Sequence, residues 1–246
     1  RLTGEHGGSD VTARVLVNAA GPWVDRVLAL AIDNAQRKRL RLVQGSHIIV
    51  PRRYAGDHAF ILQTEDGRVT FIYPYEREFT LIGTTEVEIG DSPDNAGTRQ
   101  EEVDYLCRAA NRYLENEVAP SDVRWSYSGV RALVDDGSAT ASSVTRDYLL
   151  DLDAAASAAP ILSVFGGKIT TYRKLAERAL AKLAPWFAQL RSPWTETARL
   201  PGGELPGGDI AEYLAQLAKR YPGLPPELLS AIARRHGSIA AEVLRS

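Results

Sequence analysis

The sequence predicts an α+β fold that carries an α/β remnant, and three features predict it. Two apolar runs, VTARVLVNAA (11–20) and ILSVFGG (161–167), each pass through a glycine turn into a helical pattern, the signature of strand, turn and helix. Between them lie four short β-branched or aromatic runs separated by turn residues, which read as a mainly antiparallel sheet. A stretch rich in proline and glycine then leads to a helical tail.

In chain order, Val11, Ala13, Val15 and Val17 alternate before the run becomes wholly apolar, which predicts a strand over 11–20. Gly21 and Pro22 end it, and WVDRVLALA continues as a helix with Pro22 in its first turn. RLVQGSHIIVP, HAFILQT, RVTFIYPYE and FTLIGTTEV are the four sheet runs, and Gln100 to Leu114 is an amphipathic helix with Val103, Leu106, Ala110 and Leu114 on one face. DVRWSYSGVRAL and VTRDYLLDL read as strands around a loop from Asp135 to Ser143, and Ala154 to Pro160 as a hairpin turn. ILSVFGG runs into the long helix KITTYRKLAERALAKLAPWF; Pro193 to Gly208 is a linker, and two or three helices follow.

Composition narrows the function. A chain of 246 residues with net charge −2 is long enough for a real core and gives no case for a nucleic-acid partner. No apolar run approaches the roughly 20 residues that cross a bilayer. The single cysteine, Cys107, excludes an internal disulfide and reads as a small buried apolar side chain in a helix. Methionine is absent throughout, which leads to the expectation of an excised piece, or of a sequence from which modified methionines are missing.

Four constellations carry candidate chemistry. In SVFGGKITTYRKLAE a buried strand ends at Gly166 and Gly167, where bare backbone lets a ligand approach; the helix start at Ile169, Thr170 and Thr171 offers free N–H groups and hydroxyls, and Lys168 adds a positive charge. An ordinary strand-to-helix turn explains the same pattern about equally well. In VNAAGPWVD, Ala19, Ala20 and Gly21 leave room for something flat or anionic, or pack under a helix. His47 in QGSHIIVP can exchange a proton near neutrality, although a lone strand histidine is more often structural. Arg131 in WSYSGVRALVDDG lies in an apolar strand and needs a carboxylate or phosphate, with Asp135 and Asp136 as internal alternatives and Arg146–Asp147 as a further structural pair. There is no metal-ligand spacing, no Walker loop, no G-x-S-x-G and no G-x-G-x-x-G.

Seven motifs, VNAAGPW, QGSHIIVP, ILQTEDGRVTFIYPYE, LIGTTEVE, WSYSGVRAL, TRDYLLD and FGGKITTYRKLAE, stand in the order found in bacterial respiratory FAD-dependent glycerol-3-phosphate dehydrogenases, which this chain resembles from about Val15 to its end. The resemblance implies a glutathione-reductase-type FAD domain, an antiparallel substrate sheet and a helical C-terminal segment. The expected boundaries are 1–39 for the end of the first FAD segment, 40–130 for the substrate domain, 131–192 for the return to the FAD domain and 193–246 for linker and helical segment. It implies oxidation of sn-glycerol 3-phosphate to dihydroxyacetone phosphate, with hydride passing to FAD and electrons to a quinone. Peripheral attachment at the inner face of the bacterial cytoplasmic membrane goes with it. Catalytic roles fall on His47, Arg131 and Lys168, substrate contacts on Arg131, Lys168 and Thr171, and FAD contacts on Ala19, Ala20, Gly21, Trp23, Gly166, Gly167, Lys168, Ile169 and Thr170. Gln44 stands where lysine is common, Ala132 where proline is, and Glu86 where aspartate is; the first is expected to remove a positive charge near the site. The N-terminal FAD-binding half is expected to precede Arg1, so the piece alone is expected to hold no FAD and be inactive. The residues leave oligomeric state open, a homodimer included. An amino-acid or sarcosine oxidase of the same architecture and a non-catalytic binding module are the competing readings.

Overall fold

A computed structural model describes residues 2–4, 7–32, 40–90, 92–135, 147–154 and 158–245. Asp136, Arg146, most of the loop 135–143 and the centre of the expected turn at 154–160 fall outside the described residues. The chain forms two compact units, Arg1–Ala188 and Gln189–Ser246.

The first unit begins with a short antiparallel pair, β1 (Leu2–Gly4) and β2 (Gly7–Ser9). The strand expected over 11–20 shrinks to β3 (Leu16–Asn18). Its partner decides this: only Leu16, Val17 and Asn18 lie alongside the strand Ile161–Gly166, and Val11 to Arg14 stand exposed with no strand partner among the described residues. A 3-10 turn, Gly21–Trp23, follows with Pro22 in it, then helix α1 (Val24–Ala31).

The large sheet is built around β4 (Leu40–Pro51), with β5 (Phe60–Gln63), β6 (Val69–Tyr75), β7 (Phe79–Gly83), β8 (Val87–Glu88) and β9 (Trp125–Val134). All its pairings are antiparallel. One edge of β4 pairs with β8 at Val43 and Gln44 and with β7 from His47 to Pro51; the other edge pairs with β9 from Leu40 to Ile49. Side chains alternate across a strand. Ile48 and Val50 of β4 therefore point with Ile72 and Ile82 towards helix α2 (Gln100–Asn111), whose Leu106, Cys107 and Ala110 complete the core with Leu114 and Val118. Each fully buried aliphatic side chain of this layer stabilises the fold by roughly 1.5–3 kcal/mol. The buried Cys107 sits here as a small apolar residue, and burial raises the proton affinity of its thiol.

A second sheet joins β10 (Tyr148–Asp153) antiparallel to β11 (Ile161–Gly166), and β11 parallel to β3. Phe165, fully buried, packs on Val24 and Leu28 of α1 together with Leu40 and Val134, so the ends of β4 and β9 rest on the second sheet. After β11 the chain makes a 3-10 turn, Ile169–Thr171, and enters helix α3 (Tyr172–Leu183).

The second unit holds α4 (Ile210–Arg220), α5 (Pro226–His236) and α6 (Ala240–Val243) around Tyr213, Leu217, Leu229, Ala233 and Ala240. The Asp209 carboxylate accepts the Ala211 N–H at 2.8 Å and caps α4. Among the described residues no helix is long and apolar enough to cross a membrane.

Leu106, 0% exposed, makes no polar contact that would confuse a test of the sheet–helix core. Leu106→Ala should destabilise the first unit by about 2–5 kcal/mol, read as a fall in the denaturant midpoint.

Candidate functional site

Three backbone segments from both sheets meet at one cleft of about 420 Å³: Gly21 and Pro22 after β3, Val130 to Leu133 of β9, and Gly166 to Ile169 after β11. The two cationic residues singled out from the sequence, Arg131 and Lys168, thus stand on one cavity.

Gly166 and Gly167 adopt φ of 69° and 96°, a region costly for any residue with a Cβ. A Cβ on Gly166 would also stand 2.9 Å from the Asp147 carbonyl oxygen. The wall of the cleft is bare backbone here for that reason. Lys168 and Ile169 follow, exposed, at the start of the turn into α3. Thr170 and Thr171 continue it, and the Thr171 hydroxyl donates to the Lys168 carbonyl at 2.9 Å, so it serves the local turn.

Arg131, on the same cleft, is half-buried, its guanidinium lying over the backbone of Gly45. A Cβ on Gly45 would meet Nη1 at 2.7 Å, Nη2 at 2.8 Å and Thr84 Oγ1 at 2.6 Å. Nη2 donates to Thr84 Oγ1 at 3.4 Å. His47, two residues along β4 and on the same face, lies over Gly83, where a Cβ would collide with the imidazole. Its ring stacks on Tyr127 with centroids 4.9 Å apart and planes 4° apart. Nδ1 is buried with no hydrogen-bond partner among the described residues. Burial, and after it the Arg131 charge, hold the His47 proton affinity below the ordinary 6.5, so the ring is neutral at pH 7.

Gly21 lines the cleft, while Ala19 and Ala20 lead into it. The geometry of that bend depends on Asn18, a residue no local pattern marks. Asn18 is buried, donates from Nδ2 to the Val24 carbonyl at 2.8 Å, and accepts the Ala20 N–H at 3.4 Å. Trp23 lies beyond the bend and donates its indole N–H to Asp94 Oδ1 at 2.8 Å, beside Arg26, whose Nη1 is 2.7 Å from Oδ2. Arg26 first, and Trp23 next, hold the Asp94 carboxyl below the usual carboxylate range.

Gln44 corrects an expectation. It was expected to alter the charge near the site, but it is one residue from Gly45 and three from His47, which puts it on the other face of β4. There it is 1% exposed and donates to Glu102 Oε2 at 2.7 Å and to the Gly97 carbonyl at 3.0 Å. A substitution at this position acts on the buried side of the sheet.

Residues 1–173 match the family described as FAD dependent oxidoreductase. The chain is 47% identical to a glycerol-3-phosphate dehydrogenase of Pseudomonas aeruginosa over 93% of its own length and 44% of the relative's. It is 43% identical to the D-erythritol 1-phosphate dehydrogenase of Brucella abortus over 94% of its own length and 46% of the relative's. The chain therefore spans a little under half the length of these curated relatives. Among solved structures, the glycerol-3-phosphate dehydrogenase of Bacillus halodurans, complexed with FAD, superposes with a TM-score of 0.77 at 29% identity, covering 96% of this chain and 45% of that one.

Gly45→Ala should push the guanidinium off its seat and lower the stability of the first unit by roughly 1–3 kcal/mol, as overpacking does. Gly97→Ala, whose added methyl meets nothing within 4 Å, should leave it unchanged. Denaturant titration checks both.

Proposed function

Because this chain belongs to the FAD dependent oxidoreductase family, whose cofactor is FAD, we propose that it is the substrate-facing part of a glycerol-3-phosphate dehydrogenase. The observation that carries the reading is the meeting of Arg131, Lys168 and the Gly166–Gly167 backbone on one cleft. The residues present fit the cofactor: a cradle that a Cβ would fill, backbone N–H groups at the start of a helix, and a cation beside them.

When bound, FAD supplies the hydride acceptor for oxidation of the C2 alcohol. The chain's own residues do the rest. Arg131 supplies a planar cation suited to the phosphate of the substrate, and Lys168 adds a point charge on the same cleft. His47, neutral at pH 7, accepts the proton of the C2 hydroxyl as hydride leaves the same carbon, giving dihydroxyacetone phosphate. The same reading sends the electrons on to a quinone and puts the protein at the inner face of the cytoplasmic membrane. The relative named for D-erythritol 1-phosphate, at 43% identity, supports a second reading with a longer polyol phosphate.

In the full-length enzyme, Arg131→Ala should raise KM for glycerol 3-phosphate by roughly 10–100-fold at unchanged flavin absorbance, in line with loss of a charged hydrogen-bonded contact. An unchanged KM would remove Arg131 from substrate binding, and a better kcat/KM with erythritol 1-phosphate would favour the second reading.

His47 gives a pH prediction with a definite sign. Its proton affinity is lowered on folding, so activity should hold as pH falls through 6.5 and decline only below it. The same shift means that stability present above 6.5 is lost as pH falls through the lowered value. His47→Gln should flatten the acidic limb of the kcat/KM profile and reduce kcat by roughly 10²–10⁴.

A further inference from the structure

Behind the cleft, on the far face of β4, lies a buried carboxylate that no step above uses. Glu102 is 4% exposed, at the third residue of α2. Oε2 accepts the Arg99 N–H at 3.0 Å and the Gln44 amide at 2.7 Å, and Oε1 accepts the hydroxyls of Ser46 at 2.7 Å and Thr85 at 2.5 Å. Burying a carboxylate is costly unless donors replace its water. Capping the helix requires only the Arg99 bond. The other three donors come from β4 and the turn after β7, from residues that are 1%, 0% and 2% exposed.

Those three residues are the chain neighbours of the two on which Arg131 rests. Gly45, under the guanidinium, lies between Gln44 and Ser46; Thr84, which accepts from Nη2, precedes Thr85. The Ser46 N–H donates to Thr85 Oγ1 at 2.8 Å, locking strand to turn, and the Ser46 hydroxyl meets Ser128 of β9 at 2.7 Å. Ser128 in turn meets Thr98 at 2.9 Å. One carboxylate thus joins α2, β4, β9 and the turn after β7.

We propose that Glu102 is a positioning residue for Arg131. By holding Gln44, Ser46 and Thr85 from behind, it fixes the backbone of Gly45 and Thr84 against which the guanidinium lies, and so sets the affinity of the cleft for a phosphate ester. The inference rests on the reading of the cleft as a phosphate-ester site.

The test uses the full-length, FAD-loaded enzyme with glycerol 3-phosphate and four variants. Thr85→Val keeps the shape and removes one hydroxyl; Glu102→Gln turns an acceptor into a donor; Thr85→Ser restores the hydroxyl; Arg131→Ala reports on the cleft itself. Thr85→Val and Glu102→Gln should each raise KM about tenfold, the size of one lost hydrogen bond to a charged group, with kcat within about twofold and flavin content unchanged. Thr85→Ser should return KM to near the parent value. A helix cap alone would lower Tm and leave KM where it was. If Arg131→Ala raises KM and Thr85→Val does not, the positioning role is overturned while the phosphate reading stands. If Arg131→Ala itself leaves KM unchanged, the phosphate reading falls and the inference with it. Should Glu102→Gln fail to fold, the Thr85→Val and Thr85→Ser pair still decides.

Discussion

Side chains on a strand must alternate between its faces, and in β4 that alternation separates two environments only one residue apart. Gln44, Ser46, Ile48 and Val50 point to α2, where the first two meet a carboxylate and the last two meet leucine and alanine. Gly45 and His47 lie on the other face, the one that carries Arg131, with Gly129 and Tyr127 of β9 opposite them. A slip of one residue in the β4–β9 register would turn Gln44 and Ser46 out of the core and bring His47 into it. Register is fixed because the buried face carries both apolar packing and hydrogen bonds, and neither survives the exchange.

Absent side chains matter as much to the cleft as present ones. Arg131 can lie flat because Gly45 has no Cβ, and His47 can lie across β7 because Gly83 has none. The two groups are coupled through charge as well. The guanidinium that suits an anion also opposes a second proton on His47, adding to the larger effect of burial. The cation and the neutral imidazole are therefore not independent, because the charge of one helps to keep the other unprotonated.

Much of this fold could be read from periodicity. The β-branched and aromatic runs became β4, β6 and β7, and Leu106 and Ala110 became part of the buried face of α2, with Leu114 joining the same core beyond the helix end. The run at 11–20 was read too long because apolar alternation reports on side chains, whereas a strand also needs a partner, and β11 offers one only to Leu16, Val17 and Asn18. The glycines and cations of the cleft stood out because Gly-Gly-Lys at a strand end and an arginine in an apolar strand are locally odd. Glu102 and Thr85 did not, since their bonds span 56 and 17 residues from Ser46 and from each other, and nothing nearby in sequence marks them. The face on which Gln44 lies is legible in the sequence. An odd separation from His47 puts the two on opposite faces once the strand is granted.

The two cations cannot exchange roles. Lys168 is exposed at a helix start and carries its charge as a compact ammonium on a long stem. Arg131 is half-buried, planar, and seated on a backbone that is itself held from behind. Its geometry is fixed before any ligand arrives, so little conformational freedom is lost on binding. A lysine at 131 would keep the charge but could not cover Gly45 as a flat group, and it would lose the paired donors that match two oxygens of a phosphate. The fold thus fixes the two cations to different degrees, Arg131 against the Gly45 backbone and Lys168 on an exposed turn.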